Sequence, residues 1–216
     1  METLKEINCK EIFRSAYEKR YTWDNHFRGY KGKCMFANDE SLHEGSFFLG
    51  KDFKPEIKDI DDEKIKKSIE SQLFEVSIHR IKRDFYSIHA ENNFKLLKDT
   101  EFGIDMMVYG KNEGDKYRVQ DNCINMVFRK IHGVIIEIFV KEFFDTGNGF
   151  LSKKYSSQQL DPITHLPKSQ KFLYEDNFKM INPNGLWVLE SRLIKSFNEK
   201  NEEIINKFIF SDLSEI

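Results

Sequence analysis

Apolar and polar positions alternate most regularly over the last 85 or so residues, and turn residues cut that alternation at even intervals. Gly133–Phe144 runs into the turn Asp145-Thr-Gly-Asn-Gly149. Leu151–Gln159 ends at Asp161-Pro162, and Lys168–Asp176 is followed by Asn182-Pro-Asn-Gly185. Leu186–Phe197 turns at Asn198–Asn201 into Glu203–Leu213. Segments of this length and spacing predict an antiparallel meander that curls into a barrel or half-barrel. Two of its strands are apolar on both faces. Val134, Ile136, Ile138 and Val140 alternate with Ile135, Phe139 and Phe143, and Trp187, Leu189, Leu193 and Phe197 stand opposite Leu186, Val188 and Ile194. A strand covered on both sides needs a second layer, so a helix is expected in or against the concave side of the sheet.

The N-terminal half supplies the helices. Leu4, Ile7, Ile12, Phe13, Ala16 and Tyr17 share a face at helical spacing and predict a helix over residues 3–20, with Thr3 and Glu6 placed as a capping box. His26–Asn38 and Leu42–Lys51 read as strands, and a short strand follows Pro55 toward Ile60. Asp61-Asp62-Glu63 opens a second helix at 61–80, carried by Ile65, Ile69, Leu73 and Val76. Phe85–Ala90 and Asn93–Leu97 read as strands. Ile104–Tyr109 and Lys116–Gln120 flank a turn at Gly110–Asp115, and Cys123–Ile131 pairs with Val134–Phe144 across His132-Gly133. No repeat or linker divides the chain, which predicts a single domain, 1–216.

Composition changes this picture little. Lys and Arg number 34 against 36 Asp and Glu, and such a balance gives no long-range attraction to nucleic acid or to an acidic membrane. Twenty phenylalanines supply apolar material without a polar handle, enough for a large core or an apolar cavity. Cys9, Cys34 and Cys123 are scattered and odd in number, which fits a reducing compartment and argues against a thiolate zinc site. The N-terminus shows no apolar signal-peptide core and no lipobox cysteine, and no window is apolar enough to span a membrane. A soluble, cytoplasmic protein is expected, with no membrane insertion, no nucleic-acid partner, no metal and no cofactor.

The segment Phe13-Arg-Ser-Ala-Tyr-Glu-Lys-Arg-Tyr-Thr-Trp-Asp24, with Phe27 and Gly29-Tyr30, resembles the opening signature of an uncharacterised cyanobacterial and chloroplast family, the domain of unknown function numbered 3386. Asp145-Thr-Gly-Asn-Gly149, Tyr155, Asp161-Pro162, Phe178 and the Gly185-Leu-Trp-Val-Leu…Arg192 segment are similar to its C-terminal pattern. The resemblance covers nearly the whole chain and implies a photosynthetic cell, but brings no activity with it. The order of elements is also similar to that of lipoprotein carriers, in which an unclosed barrel surrounds an apolar cavity. That is an analogy of fold, and fold alone does not fix function.

Candidate site residues follow from chemistry placed where it costs energy. Arg20, Tyr21 and Trp23, with Tyr30, form either a ligand-contacting rim or a structural corner in which Arg20 pairs with Asp24 or Glu18. Glu137 and Arg192 each interrupt an apolar strand, and a charge there must be solvated or paired. With Phe139 and Trp187 they are candidate contacts inside a cavity. The six histidines show no metal-ligand spacing, and neither Cys34 nor Cys123 has a visible base. A bilin-lyase-like or lipid-modifying activity therefore has no supporting motif.

The expected fold is α+β: a strongly curved antiparallel sheet, a half-barrel or open barrel, with an N-terminal helix and a second helix near 61–80. The expected function is non-enzymatic binding or carriage of an apolar molecule, a lipid, pigment or isoprenoid. The alternative is an assembly or scaffold protein that meets a photosynthetic protein partner.

Overall fold

The computed structural model describes residues 7–183 and 185–216. Twelve strands join in one open antiparallel sheet, in the order β3-β2-β1-β12-β11-β10-β9-β8-β7-β6-β5-β4. These are β1 (Gly29–Ala37), β2 (Leu42–Gly50), β3 (Pro55–Lys58), β4 (Asn92–Thr100), β5 (Gly103–Gly110) and β6 (Lys116–Gln120). They continue as β7 (Cys123–Ile131), β8 (Val134–Asp145), β9 (Phe150–Leu160), β10 (Phe172–Met180), β11 (Trp187–Phe197) and β12 (Glu203–Glu215). Consecutive strands are neighbours throughout, save that β3 and β4 stand at opposite edges and β1 pairs with β12. The expected α+β class, with a large antiparallel sheet and few helices, is what the chain forms. Its contacts divide it into two compact units.

The first unit comprises residues up to Arg20, Arg83–Leu151 and Tyr155–Lys171. Helix α1 (Cys9–Glu18) starts at an Asn8 cap, whose side chain accepts from the Glu11 amide at 3.1 Å. The capping box expected at Thr3 and Glu6, and Leu4 with it, lies outside the described residues. The apolar face of α1 buries Cys9, Phe13, Ala16 and Tyr17 against Met106, Val108, Tyr117 and Val119 of β5 and β6. Phe13 is the hub, with its ring centroid 4.5 Å from that of Tyr117 and 4.6 Å from that of Phe94.

Residues 85–90, expected as a strand, instead form the short helix α3 (Phe85–His89). Asp84 caps it by accepting from the Ser87 amide at 2.8 Å, and Phe85 and His89 turn into the aromatic core. The alternation of apolar residues there is equally met by one helical turn.

The second unit comprises Tyr21–Lys82, Ser152–Lys154 and Phe172–Ile216. Helix α2 (Glu63–Ile78) falls inside the expected 61–80. The Asp62 side chain accepts from the Lys64 and Ile65 amides, and those two N–H groups hold its carboxyl below the usual range. Ile69, Leu73 and Val76 are buried, and the helix packs on β1 and β3. On the sheet, Phe36, Phe47, Phe208 and Phe210 are buried together, with ring centroids 5.2 Å (Phe36 to Phe208) and 5.4 Å (Phe47 to Phe210) apart. Gly29, at φ +125°, sits where a Cβ would run into the Leu49 carbonyl oxygen, which lets β1 and β2 pair closely. Strand β10 starts at Phe172, four residues beyond the expected Lys168. The Lys168 and Ser169 amides are already committed to the Gln159 carbonyl, and this closes the loop after β9.

Candidate functional site

Strand register in the first unit decides which residues look toward α1. Tyr117 pairs with Val127, and Val127 with Ile138, so these three stand in one row across β6, β7 and β8. Tyr117 and Val127 pack into the core beneath α1, which places Ile138 on the same face. Val134, Ile136 and Val140 share that face by alternation. The helix packs on β4, β6 and β7 and buries Met106 and Val108 of β5. The four aliphatic residues of β8 on this face are only half-buried, whereas Met106 and Val108 of β5 are sealed. Beside α1 a cleft of about 400 Å³ opens, with Ile12, Ile104 and Val119 as its apolar lining and Glu11, Ser15, Asp121 and Asn122 as its polar one. A volume of that size is within the range of small-molecule sites.

Polar groups are concentrated at one side of this face. Asp115, almost fully buried, accepts from Arg129 Nε at 3.0 Å and from the Lys130 amide at 3.2 Å. His89 is also buried and accepts at Nδ1 from the Asn92 side-chain amide at 2.9 Å, which requires a neutral ring carrying its proton on Nε2. Burial, with Arg129 and Arg20 nearby, pushes the His89 pKa down to about 4. Burial also raises the Tyr117 hydroxyl well above the usual range.

Arg20 follows the Lys19 C-cap of α1, and the chain there is fixed by the Phe150 amide donating to the Lys19 carbonyl at 2.9 Å. Its guanidinium lies over the Tyr17 ring, 3.7 Å from the centroid, and its Nε donates to the Tyr17 carbonyl at 2.9 Å. It pairs with neither Asp24 nor Glu18.

The other residues singled out from sequence are distributed as follows. Glu137 and Phe139 belong to β8 but to the face turned away from α1, where the Lys171 ammonium stands 5.9 Å from the Phe139 ring centroid. In the second unit Tyr21, Trp23 and Trp187 are brought together. The Tyr21 hydroxyl donates to the Gly185 carbonyl and accepts from the Trp187 amide, each at 2.9 Å, while Trp23 Nε1 donates to the Trp187 carbonyl at 3.0 Å. Tyr30 is fully buried, its hydroxyl without a hydrogen-bond partner among the described residues. Arg192 is buried against Asp176 and also donates to Gln72 of α2. Sequence reasoning gave Tyr117, Asp115 and Arg129 no role, used Tyr17 only on the apolar face of the first helix and in the family signature, and weighed His89 only among histidines that lack metal-ligand spacing. Among the described residues no group of three His, Cys, Asp or Glu side chains is placed to hold a metal, and no helix is long and apolar enough to cross a membrane.

Fold and site define a large open antiparallel sheet that carries a helix on one face and leaves part of that face apolar and accessible. The chain belongs to the family described as "Protein of unknown function (DUF3386)", whose model matches residues 4–216. No curated protein matches it. Among solved structures it is similar to a LolA superfamily protein from Nitrosomonas europaea, at 9% identity and a TM-score of 0.42, over 97% of this chain and 94% of that one. It is also similar to a DUF1329 family protein from Desulfovibrio piger, at 11% identity and a TM-score of 0.32, over 96% and 93% of the two chains. The MucA/MucB complex of Pseudomonas aeruginosa shares 7% identity at a TM-score of 0.26, over 94% and 93%.

Proposed function

We propose that this chain is a non-enzymatic binding or carrier protein for an apolar molecule such as a lipid, pigment or isoprenoid. The observation that carries the reading is the half-buried row Val134, Ile136, Ile138 and Val140, which continues the core beneath α1 into solvent. The part of this row that is still accessible is stabilised by covering it, at roughly 25 cal/mol per Å² of apolar area. Three unpaired, buried cysteines support a reducing compartment, here the cytoplasm. The N-terminal signature from Phe13 to Tyr30 supports a photosynthetic cell as the setting.

The test is native mass spectrometry, with an absorption spectrum, on the protein purified from photosynthetic cells. A co-purifying apolar mass that organic extraction removes, and that Ile138→Asp abolishes, supports the carrier. A clean protein mass, joined to failure of the extracted protein to take up an uncharged apolar fluorophore, overturns it.

A second reading, an assembly protein acting through protein contacts, draws on a different feature. The loop after β9 presents Ile163 at 88% and Leu166 at 65% exposure. Apolar side chains held so far into solvent suit a protein partner. Pull-downs that lose their partner on Ile163→Ser with Leu166→Ser, while apolar binding persists, would separate the two readings.

A further inference from the structure

An arginine withdrawn from water is ordinarily matched by a carboxylate, because a half-buried charge without a counter-charge is costly. Arg129 obeys this rule through Asp115. Arg20 does not. Of its five N–H donors, Nε is taken by the Tyr17 carbonyl, the Tyr17 hydroxyl is the one side-chain acceptor that acts on the group, and no carboxylate accepts from it among the described residues. Its ring partner Tyr17 covers one flat face of the guanidinium, and no Arg20 nitrogen is sealed from solvent without a partner. No carboxylate figures among the groups that act on it electrostatically; they are Tyr17, Tyr117 and a second cation, Arg83. The C-terminal carbonyls of α1 account for the Nε bond, not for the forked end.

The position of that fork matters. Arg20 forms a parallel bridge with Phe150 at the start of β9, the strand beside β8, and so stands by the end of β8 at which Val140 follows Ile138. A cationic fork therefore stands near the Val140 end of the half-buried aliphatic row of β8. We infer that the ligand is an anionic amphiphile, its carboxylate or phosphate held by the forked end of Arg20 and its hydrocarbon chain laid along Ile136, Ile138 and Val140. Arginine suits both headgroups, since its paired N–H groups match two oxygens of either. This rests on the carrier reading and gives it a headgroup.

The experiment is displacement of N-phenylnaphthylamine, an uncharged fluorescent probe, by dodecanoate, dodecyl phosphate and dodecanol at mildly alkaline pH. All three share one chain and differ only in the headgroup. Wild-type protein should release the probe to an anion at concentrations at least about tenfold lower than to dodecanol, a difference expected of a charge-assisted fork. Arg20→Gln should abolish that preference and keep the dodecanol curve, and Arg20→Lys, which retains the charge, should keep part of it. The anion that displaces at the lower concentration assigns the headgroup. Equal displacement by dodecanoate, dodecyl phosphate and dodecanol in the wild type overturns the headgroup and leaves the carrier standing. Failure of the wild type to bind the probe or any of the three overturns both. The wild-type comparison holds even where an Arg20 variant folds poorly.

Discussion

Arg192 of β11 holds Asp176 of β10 through two parallel hydrogen bonds, Nε to Oδ1 at 2.8 Å and Nη2 to Oδ2 at 2.7 Å, with 2% and 3% of the side chains exposed. The pair is tied to α2 by Arg192 Nη1 donating to Gln72 Oε1 at 3.0 Å, while Glu75, nearly half exposed, adds a weaker contact at 3.4 Å. Breaking such a pair from one side strands a buried charge. Asp176→Ala should therefore cost about 3–5 kcal/mol in urea unfolding, and Asp176→Leu combined with Arg192→Met should cost less than that single change. A double variant that loses as much as the sum of its two single changes would show that the two side chains act independently and that neither single change strands a buried charge.

Acid should unfold this protein partly through His89. Its pKa is about 4 in the folded chain against an ordinary 6.5, so between those values the unfolded chain binds the extra proton. The contribution is intact above about pH 6.5 and is lost as pH falls toward 4, to a limit of about 3 kcal/mol. His89→Gln keeps an acceptor for the Asn92 amide and has nothing to protonate. Its stability should be flatter than wild type over that window, and parallel curves for the two proteins would remove His89 from the account.

Thiol chemistry should be silent in the native state. Cys9, Cys34 and Cys123 are all buried, and burial raises each thiol, Cys34 to about 11. Ellman's reagent should find no reactive thiol in the folded protein and all three once it is unfolded in guanidinium. A thiol that reacts before unfolding would mark local opening around whichever cysteine carries it.

The strands of the C-terminal half and helix α2 were legible because their signals are local: alternation at period 2, a turn of Gly, Asn or Asp, an acidic N-cap. Residues 85–89 were misread because five residues are too few to separate a turn of helix from a strand by periodicity. What sequence could not supply was partnership across strands. Arg192 invites a counter-charge, yet nothing local selects Asp176 over Glu137. The choice depends on a register that shifts by one residue between Asn177 and Phe178. The same holds for Arg20, for which nearby Glu18 and Asp24 are the natural expectation. Helix geometry turned its guanidinium onto Tyr17 instead, three residues back and on the same side of α1.

The corner formed by Tyr21, Trp23 and Trp187 makes a graded prediction. Tyr21 serves two backbone groups at once, and Trp23 serves the carbonyl of the same Trp187 whose amide Tyr21 accepts. Tyr21→Phe keeps the ring but leaves the Trp187 N–H and the Gly185 carbonyl without their partner, at a cost of about 1–3 kcal/mol for the unsatisfied groups. Trp23→Phe removes one hydrogen bond and also opens space beside Phe27, whose ring stacks on the indole at 4.1 Å between centroids. It should cost more than Tyr21→Phe, because a cavity adds to the lost bond. Since the two side chains meet the same backbone segment, the double variant should lose less than the sum of the single changes. Urea unfolding of the four proteins measures this, and strict additivity would mean that the two bonds act independently.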